Sequence, residues 1–130
     1  MILGVGTDLV EIPRIERALG RWGDRFAEKI LVASELERYA AHRKPAAYLA
    51  KRFAAKEAFS KAMGTGIRFP VNWQNVGVAN HRSGRPYLVF SAALAELVAK
   101  RGIRAVHLSL ADELSVAAAF VVLEGEASGG

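Results

Sequence analysis

Cysteine is absent from the 130 residues. Without a thiol there is no disulfide framework, no thiolate metal site and no cysteine nucleophile. Long hydrophobic runs are missing as well. No apolar stretch approaches the roughly 20 residues that a membrane-crossing helix needs. Met1–Val10 is apolar but carries Asp8 and lacks the basic start and cleavage site of a signal peptide. These absences predict a cytoplasmic protein with no membrane partner. No internal repeat or long linker interrupts the chain, so a single domain over residues 1–124 is expected, followed by a disordered tail over 125–130.

What is present fits an ordinary globular protein. Hydrophobic residues make up 52% and charged residues 24%, and a chain of this length buries a core without covalent staples. The net charge of +5 is unevenly placed. Residues 1–68 hold 13 of the 18 Lys and Arg and 8 of the 13 Asp and Glu, whereas residues 69–130 hold five of each. The whole excess lies in the first half, which implies a negatively charged partner there or a solvated basic surface.

The hydrophobic periods give an order of elements. Ile2–Val10 reads as a strand with Gly4, Gly6 and Asp8 on one face. Those glycines leave the backbone open to close approach by a ligand or another chain. Ile12–Leu19 reads as a helix with Pro13 in its first turn, and Ser34–Ala41 as a second helix capped by Ser34 with Glu37 completing the box. Pro45–Met63 is the longest helix, stopped by Gly64. Asn75–Asn80 and Pro86–Phe90 are strands around the turn His81–Arg85, and Ser91–Arg101 is a helix ended by Gly102. Arg104–Leu110 and Ser115–Glu124 form a last hairpin, turning near Asp112–Glu113. The class is α+β, with helices packed on a mainly antiparallel sheet.

Four groups of residues could carry chemistry. Glu57 stands in the long helix among Ala50, Phe53, Ala54, Ser60 and Lys61, where a carboxylate needs a cation. Either Lys61, one helical turn on, or a bound metal can supply it. Asp8 ends an apolar strand, and Asp8 with Glu57 would make an oxygen site suited to Mg²⁺, which takes its other ligands from water and substrate phosphates. Gly64–Thr65–Gly66 could cradle a phosphate through backbone amides and the Thr65 hydroxyl, with Lys61, Arg52 and Arg68 in reach. Its order is the reverse of a Walker loop. Arg14, Arg17, Arg21 and Arg25 make one basic stripe if the first helix runs past Leu19. His107 and Ser109 share a strand face, but no Ser–His–Asp arrangement accompanies them. A nucleic-acid-binding module would suit the charge, yet the predicted strands lack paired aromatics for stacking bases. A purely structural subunit would leave the carboxylate at Glu57 unexplained.

Gly4–Glu16, Arg52–Ile67 and His107–Glu113 together resemble the three signature regions of the holo-acyl-carrier-protein synthases, in the same order and spacing. Phe26–Ala40 and Ser83–Leu88 are similar to the family too, so the likeness runs to about Glu124. The resemblance implies an α+β fold, trimers with coenzyme A bound between subunits, and transfer of phosphopantetheine from coenzyme A to a serine of an acidic acyl carrier protein in fatty acid biosynthesis. It implies Mg²⁺ on Asp8 and Glu57, with Glu57 and Lys61 catalytic. It places Arg52, Lys56, Ser60, Lys61, Gly64, Thr65 and Gly66 on coenzyme A phosphates. It places Arg85, Pro86, His107 and Ser109 at the nucleotide end, and Arg14, Arg21 and Arg25 where the carrier docks. Ala33 stands where some members carry an acidic residue, which leaves the general base open, with Glu35 nearby.

Overall fold

The nineteen-residue helix α4 (Pro45–Met63) is the spine of the fold, and its sequence explains why. Pro45 occupies the first turn, where its missing N–H costs nothing. Gly64 closes the helix in the left-handed conformation, with φ of 75°. Between them, Leu49, Ala50, Ala54, Ala55, Ala58 and Phe59 are wholly buried. The computed structural model describes residues 1–126. Around α4 they form β1 (Ile2–Glu11), α1 (Ile12–Trp22), α2 (Asp24–Ile30), α3 (Ala33–Ala41), β2 (Val76–Asn80), β3 (Pro86–Phe90), α5 (Ala92–Lys100), β4 (Ile103–Glu113) and β5 (Val116–Gly125). Among the described residues, no helix is long and apolar enough to cross a membrane.

β1, β5 and β4 make an antiparallel sheet in that order, and β2 and β3 make a separate antiparallel ribbon. The sheet's inner face lies on α4. Val121 pairs with Gly6 on one side and Leu108 on the other, and Ala119 pairs with Asp8 and Leu110. One core cluster joins Phe59 and Met63 to Val76, Leu94, Val121 and Leu123. A second joins Leu49 and Ala50 to Ile15, Ala27 and Ile30 of the N-terminal helices.

Gly4 and Gly6 do allow a close approach, but the approaching backbone is α4 of the same chain. A Cβ built on Gly4 would overlap the Ala62 carbonyl oxygen, and one on Gly6 the Ala58 carbonyl oxygen. Strand and helix backbones therefore touch, which sets the depth at which Asp8 leaves the contact.

Several boundaries differ from expectation for local reasons. α1 continues to Trp22 and breaks at Gly23, whose φ is 65°. Arg25 therefore stands on α2, and the four arginines are not one helical stripe. α3 starts at Ala33, and the Val32 N–H donates to Glu35 Oε1 at 2.9 Å. Glu35 closes that helix start, and the predicted box of Ser34 and Glu37 does not form. Ser91 caps α5 by accepting from the Leu94 N–H at 3.3 Å. The last hairpin turns at Leu114–Ser115, beyond the predicted point, so β4 is longer than expected while β5 is shifted by one residue. β5 includes Gly125, whose N–H donates to the Met1 carbonyl at 3.0 Å. The rest of the predicted tail, 127–130, lies outside the described residues.

The β1–α4 contact leaves no room for a methyl group. Gly6→Ala is expected to cost about 3 kcal/mol, while Gly20→Ala, with nothing within 4 Å, should gain roughly 0.5–1 kcal/mol by helix propensity. Urea denaturation of both variants checks the contrast. Equal stabilities would contradict it.

Candidate active site

Two elements bring carboxylates to one end of the β1–α4 contact. Asp8 comes from β1 just past the glycines, and Glu57 from the middle of α4. Lys61, one turn beyond Glu57, reaches across to β1. Its Nζ donates to the Thr7 carbonyl and to Asp8 Oδ1, each at 3.0 Å. Of the two cations open to Glu57, Lys61 forms its salt bridge with Asp8 instead.

The arrangement leaves acceptor capacity unspent. Asp8 Oδ2 is buried with no hydrogen-bond partner. Glu57 is half-buried, and its pKa is raised, first by burial and then by the Asp8 charge, against the opposing pull of Lys61 and Arg14. A buried, unpartnered carboxylate oxygen beside a second carboxylate under strain to ionise is the electrostatic signature of a cation site. Among the described residues, no group of three or more His, Cys, Asp or Glu could cage a metal. Two carboxylates suit an ion that takes its remaining ligands from water and phosphate.

About a turn and a half before Glu57 on α4, Arg52 is buried against the Tyr48 ring, with its Cζ 3.9 Å from the ring centroid. Its Nη2 donates to Asn80 Oδ1 at 3.2 Å, and its Nε is buried without a partner. Asn80 pairs with Pro86 in the β2–β3 ribbon and also donates to the Gly84 carbonyl at 2.9 Å. Arg52, Pro86 and the turn bearing exposed Arg85 are therefore held together, and the Arg52 Nε keeps a donor in reserve for an acceptor.

The family model for the 4'-phosphopantetheinyl transferase superfamily matches residues 4–119. A holo-[acyl-carrier-protein] synthase of Nitrosomonas europaea is 54% identical over 124 residues, covering 95% of this chain and 99% of that protein. The chain belongs to this superfamily. A crystal structure of the synthase from Neisseria meningitidis superposes with a TM-score of 0.93 at 46% identity, covering 95% of this chain and 99% of that one. A Bacillus anthracis synthase, solved in complex with CoA (3',5'-ADP), gives 0.81 at 38% identity, with 97% and 99% covered.

Several residues expected on coenzyme A phosphates are engaged within the chain itself. Lys56 does not face phosphate: it is wholly buried and its Nζ donates to the Ile30 carbonyl at 2.6 Å, Glu35 Oε1 at 2.7 Å and the Trp73 carbonyl at 3.0 Å. Glu35 is equally spent, since Oε1 also takes the Val32 N–H and Oε2 takes the Val78 N–H at 2.8 Å. At 1% exposure it is closed off from any substrate proton. Ser60 is buried and its hydroxyl donates to the Glu57 carbonyl at 2.7 Å. The amides expected to cradle phosphate are occupied as well. Gly64 N–H bonds the Lys61 carbonyl, and Thr65 and Gly66 N–H both turn back to the Ser60 carbonyl. They finish α4, which leaves the Thr65 hydroxyl, now donating to the Gly66 carbonyl at 2.8 Å, as the loop's movable polar group.

His107 and Ser109 lie on the outer face of the sheet, opposite Asp8 and Glu57. His107 Nε2 meets Glu124 Oε1 at 2.9 Å, and that hydrogen bond holds the Glu124 pKa down. Arg14, Arg17 and Arg21 are exposed on α1, and Arg14 is close enough to Glu57 to pull its pKa down. Asn80 was not anticipated. Its place opposite the first proline of a predicted hairpin was the available signal.

Two predictions follow from these roles. Lys56→Met should destabilise the protein by about 3–5 kcal/mol, because it strands the Glu35 charge in the core. A variant of wild-type stability with weakened coenzyme A binding would instead restore Lys56 to the phosphates. For Glu57, the raised pKa means that its stabilising contribution is complete below the ordinary value of 4.5 and is lost as pH rises through the folded value. In EDTA, Glu57→Gln should therefore melt above wild type at pH 7, and the gap should close toward pH 4. A lower melting temperature at pH 7 would show that the carboxylate is a structural partner.

Proposed function

We propose that this chain transfers the 4'-phosphopantetheine group of coenzyme A to a serine of apo-acyl carrier protein. The products are holo-acyl carrier protein and adenosine 3',5'-bisphosphate, and the carrier serves fatty acid biosynthesis. The observation that carries the reading is the pairing of Asp8 with Glu57, one Asp8 oxygen held by Lys61 and the other buried and unpartnered. The relatives named above as holo-acyl-carrier-protein synthases supply the substrates. We place the enzyme in the cytoplasm, where coenzyme A is held.

Asp8 and Glu57 would hold Mg²⁺, which would neutralise charge on the pyrophosphate of coenzyme A. The chain's own groups do the rest by position and charge. Lys61 is half-exposed beside Asp8, so its ammonium can swing onto phosphoryl oxygens and steady charge as the bond breaks. Arg52 and the Arg85–Pro86 turn hold the nucleotide half. The carrier serine oxygen bonds to the phosphorus that bears pantetheine and gives its proton to a water molecule. The P–O bond to the adenosine phosphate breaks, and its electron pair leaves with adenosine 3',5'-bisphosphate. Arg14, Arg21 and Arg25 face an acidic carrier, and complementary charge steers its approach. Arg14 links that surface to the site through its closeness to Glu57.

The enzyme is read as a homotrimer with sites between subunits. α4 is covered by its own chain, so the apolar circumference of that helix is not the reason. The bare apolar surface is the sheet's outer face, where Val5, Leu9, Val116 and Phe120 are exposed and Leu9 keeps 71% of its area in solvent. Such a face asks for a cover. His107 and Ser109 share it, so a neighbouring subunit laid there would bring them to a site that one chain leaves unassembled.

Incubating the protein with coenzyme A, Mg²⁺ and apo carrier should raise the carrier's mass by one phosphopantetheine, and Asp8→Ala should abolish this. An unmodified carrier with wild type, or full turnover by Asp8→Ala at saturating Mg²⁺, contradicts the reading. Wild type should sediment at three times the chain mass of 14.0 kDa, and Phe120→Lys should sediment as a monomer. A wild-type monomer at micromolar concentration would refute the trimer.

A further inference from the structure

α2 is a seven-residue helix with no side-chain cap at its start, and it follows directly on the bend at Gly23. A helix this short does not hold itself in water. Its apolar anchors are few: Ala27 and Ile30 are buried and Phe26 is half-buried. Its exposed side carries Arg25 and Lys29.

What fixes it is its C-terminus. The last four carbonyls of a helix have no partner within it. Here three of them, Glu28, Lys29 and Ile30, together with the carbonyl of the C-cap residue Leu31, are met from outside, while the Ala27 carbonyl takes the Leu31 N–H at 2.8 Å. The two N–H groups of Gln74 Nε2 are shared among the carbonyls of Glu28 at 3.0 Å, Lys29 at 3.2 Å and Leu31 at 3.0 Å. Lys56 Nζ donates to the carbonyl between them, Ile30, at 2.6 Å. A cation at a helix C-terminus is favourable with respect to the dipole as well. Lys56 is the residue before Glu57, so the seat of α2 is tied to the same turn of α4 that carries the carboxylate.

We propose that Gln74, with Lys56, is a positioning residue for the carrier protein: the two clamp the C-terminus of α2 and so hold Arg25 in its docking orientation relative to Glu57. The inference rests on the docking role given above to the arginines of α1 and α2. Gln74 touches neither Asp8, Glu57, Lys61 nor Arg52, so its effect belongs to carrier binding and not to chemistry.

Gln74 is exposed, so its variants should fold. Gln74→Met removes both N–H donors at similar size. It should raise the KM for carrier on the order of 3- to 10-fold, the scale of one or two lost hydrogen bonds, and leave kcat and the KM for coenzyme A unchanged. Gln74→Glu keeps the shape but sets a carboxylate against carbonyls, and should raise the carrier KM further than Gln74→Met. Amide exchange over residues 24–31 should quicken in both, with α4 unaffected. Arg25→Glu is measured in parallel and should raise the carrier KM. In that background Gln74→Met should add less than about two-fold, because the two act through one contact. If Arg25→Glu raises the carrier KM and Gln74→Met does not, the clamp is refuted and the docking surface stands. If neither changes it, the docking reading fails and the clamp with it. A rise in the KM for coenzyme A, or a full multiplicative effect in the Arg25→Glu background, also overturns the proposal.

Discussion

The contact between β1 and α4 is made backbone to backbone, and the rest of the site depends on it. Gly4 and Gly6 lie against the carbonyls of Ala62 and Ala58, and α4 answers with small residues, Ala54, Ala55, Ala58 and Ala62, all buried. With side chains larger than these, the strand would ride further from the helix. Asp8 leaves β1 just past the glycines and so arrives at the level of Glu57 and Lys61. Lys61 then bonds to β1 at both Thr7 and Asp8, which closes the contact from its polar end.

α4 is pinned on a second side by a buried ion pair. Taking Lys56 and Glu35 out of water is costly, and burial lowers the Lys56 pKa against the pull of Glu35. The pair persists because all three ammonium donors and both carboxylate oxygens are used. Its reach matters more than its net energy. It joins α2, the start of α3, the Trp73 loop and β2 to one point on α4. Lys56 and Glu57 are neighbours about 100° apart around the helix, so the residue that locks the core and the residue that faces the proposed cation site fix each other's direction.

Much of this was legible in the sequence. The strand alternation placed Gly4, Gly6 and Asp8 on one face. The extent of α4 followed from Pro45 and Gly64, whose backbone demands are strict. Asp8 and Glu57 stood out because carboxylates among apolar residues need explaining. What stayed hidden depended on tertiary partners. Periodicity cannot tell which lysine of α4 turns to the core, and Lys56 found a carboxylate 21 residues away. It cannot tell that the amides after Gly64 bend back to finish the helix. α2 was missed because two turns with no cap carry too little period, and the conditional arginine stripe ends at Gly23, whose positive φ redirects the chain before Arg25. The likeness to a family supplied the substrates, which no spacing of residues could name.

The central claim is that the glycine contact delivers Asp8 to Glu57 to form one divalent-cation site completed by phosphate. Its most direct test is Mn²⁺ binding read by electron paramagnetic resonance, with the protein saturated in coenzyme A. Wild type should deplete the free-ion signal in saturable fashion, weakly without coenzyme A and strongly with it. Asp8→Asn, folded as judged by circular dichroism, should leave the signal at its protein-free level. Wild-type affinity in Asp8→Asn would contradict the account.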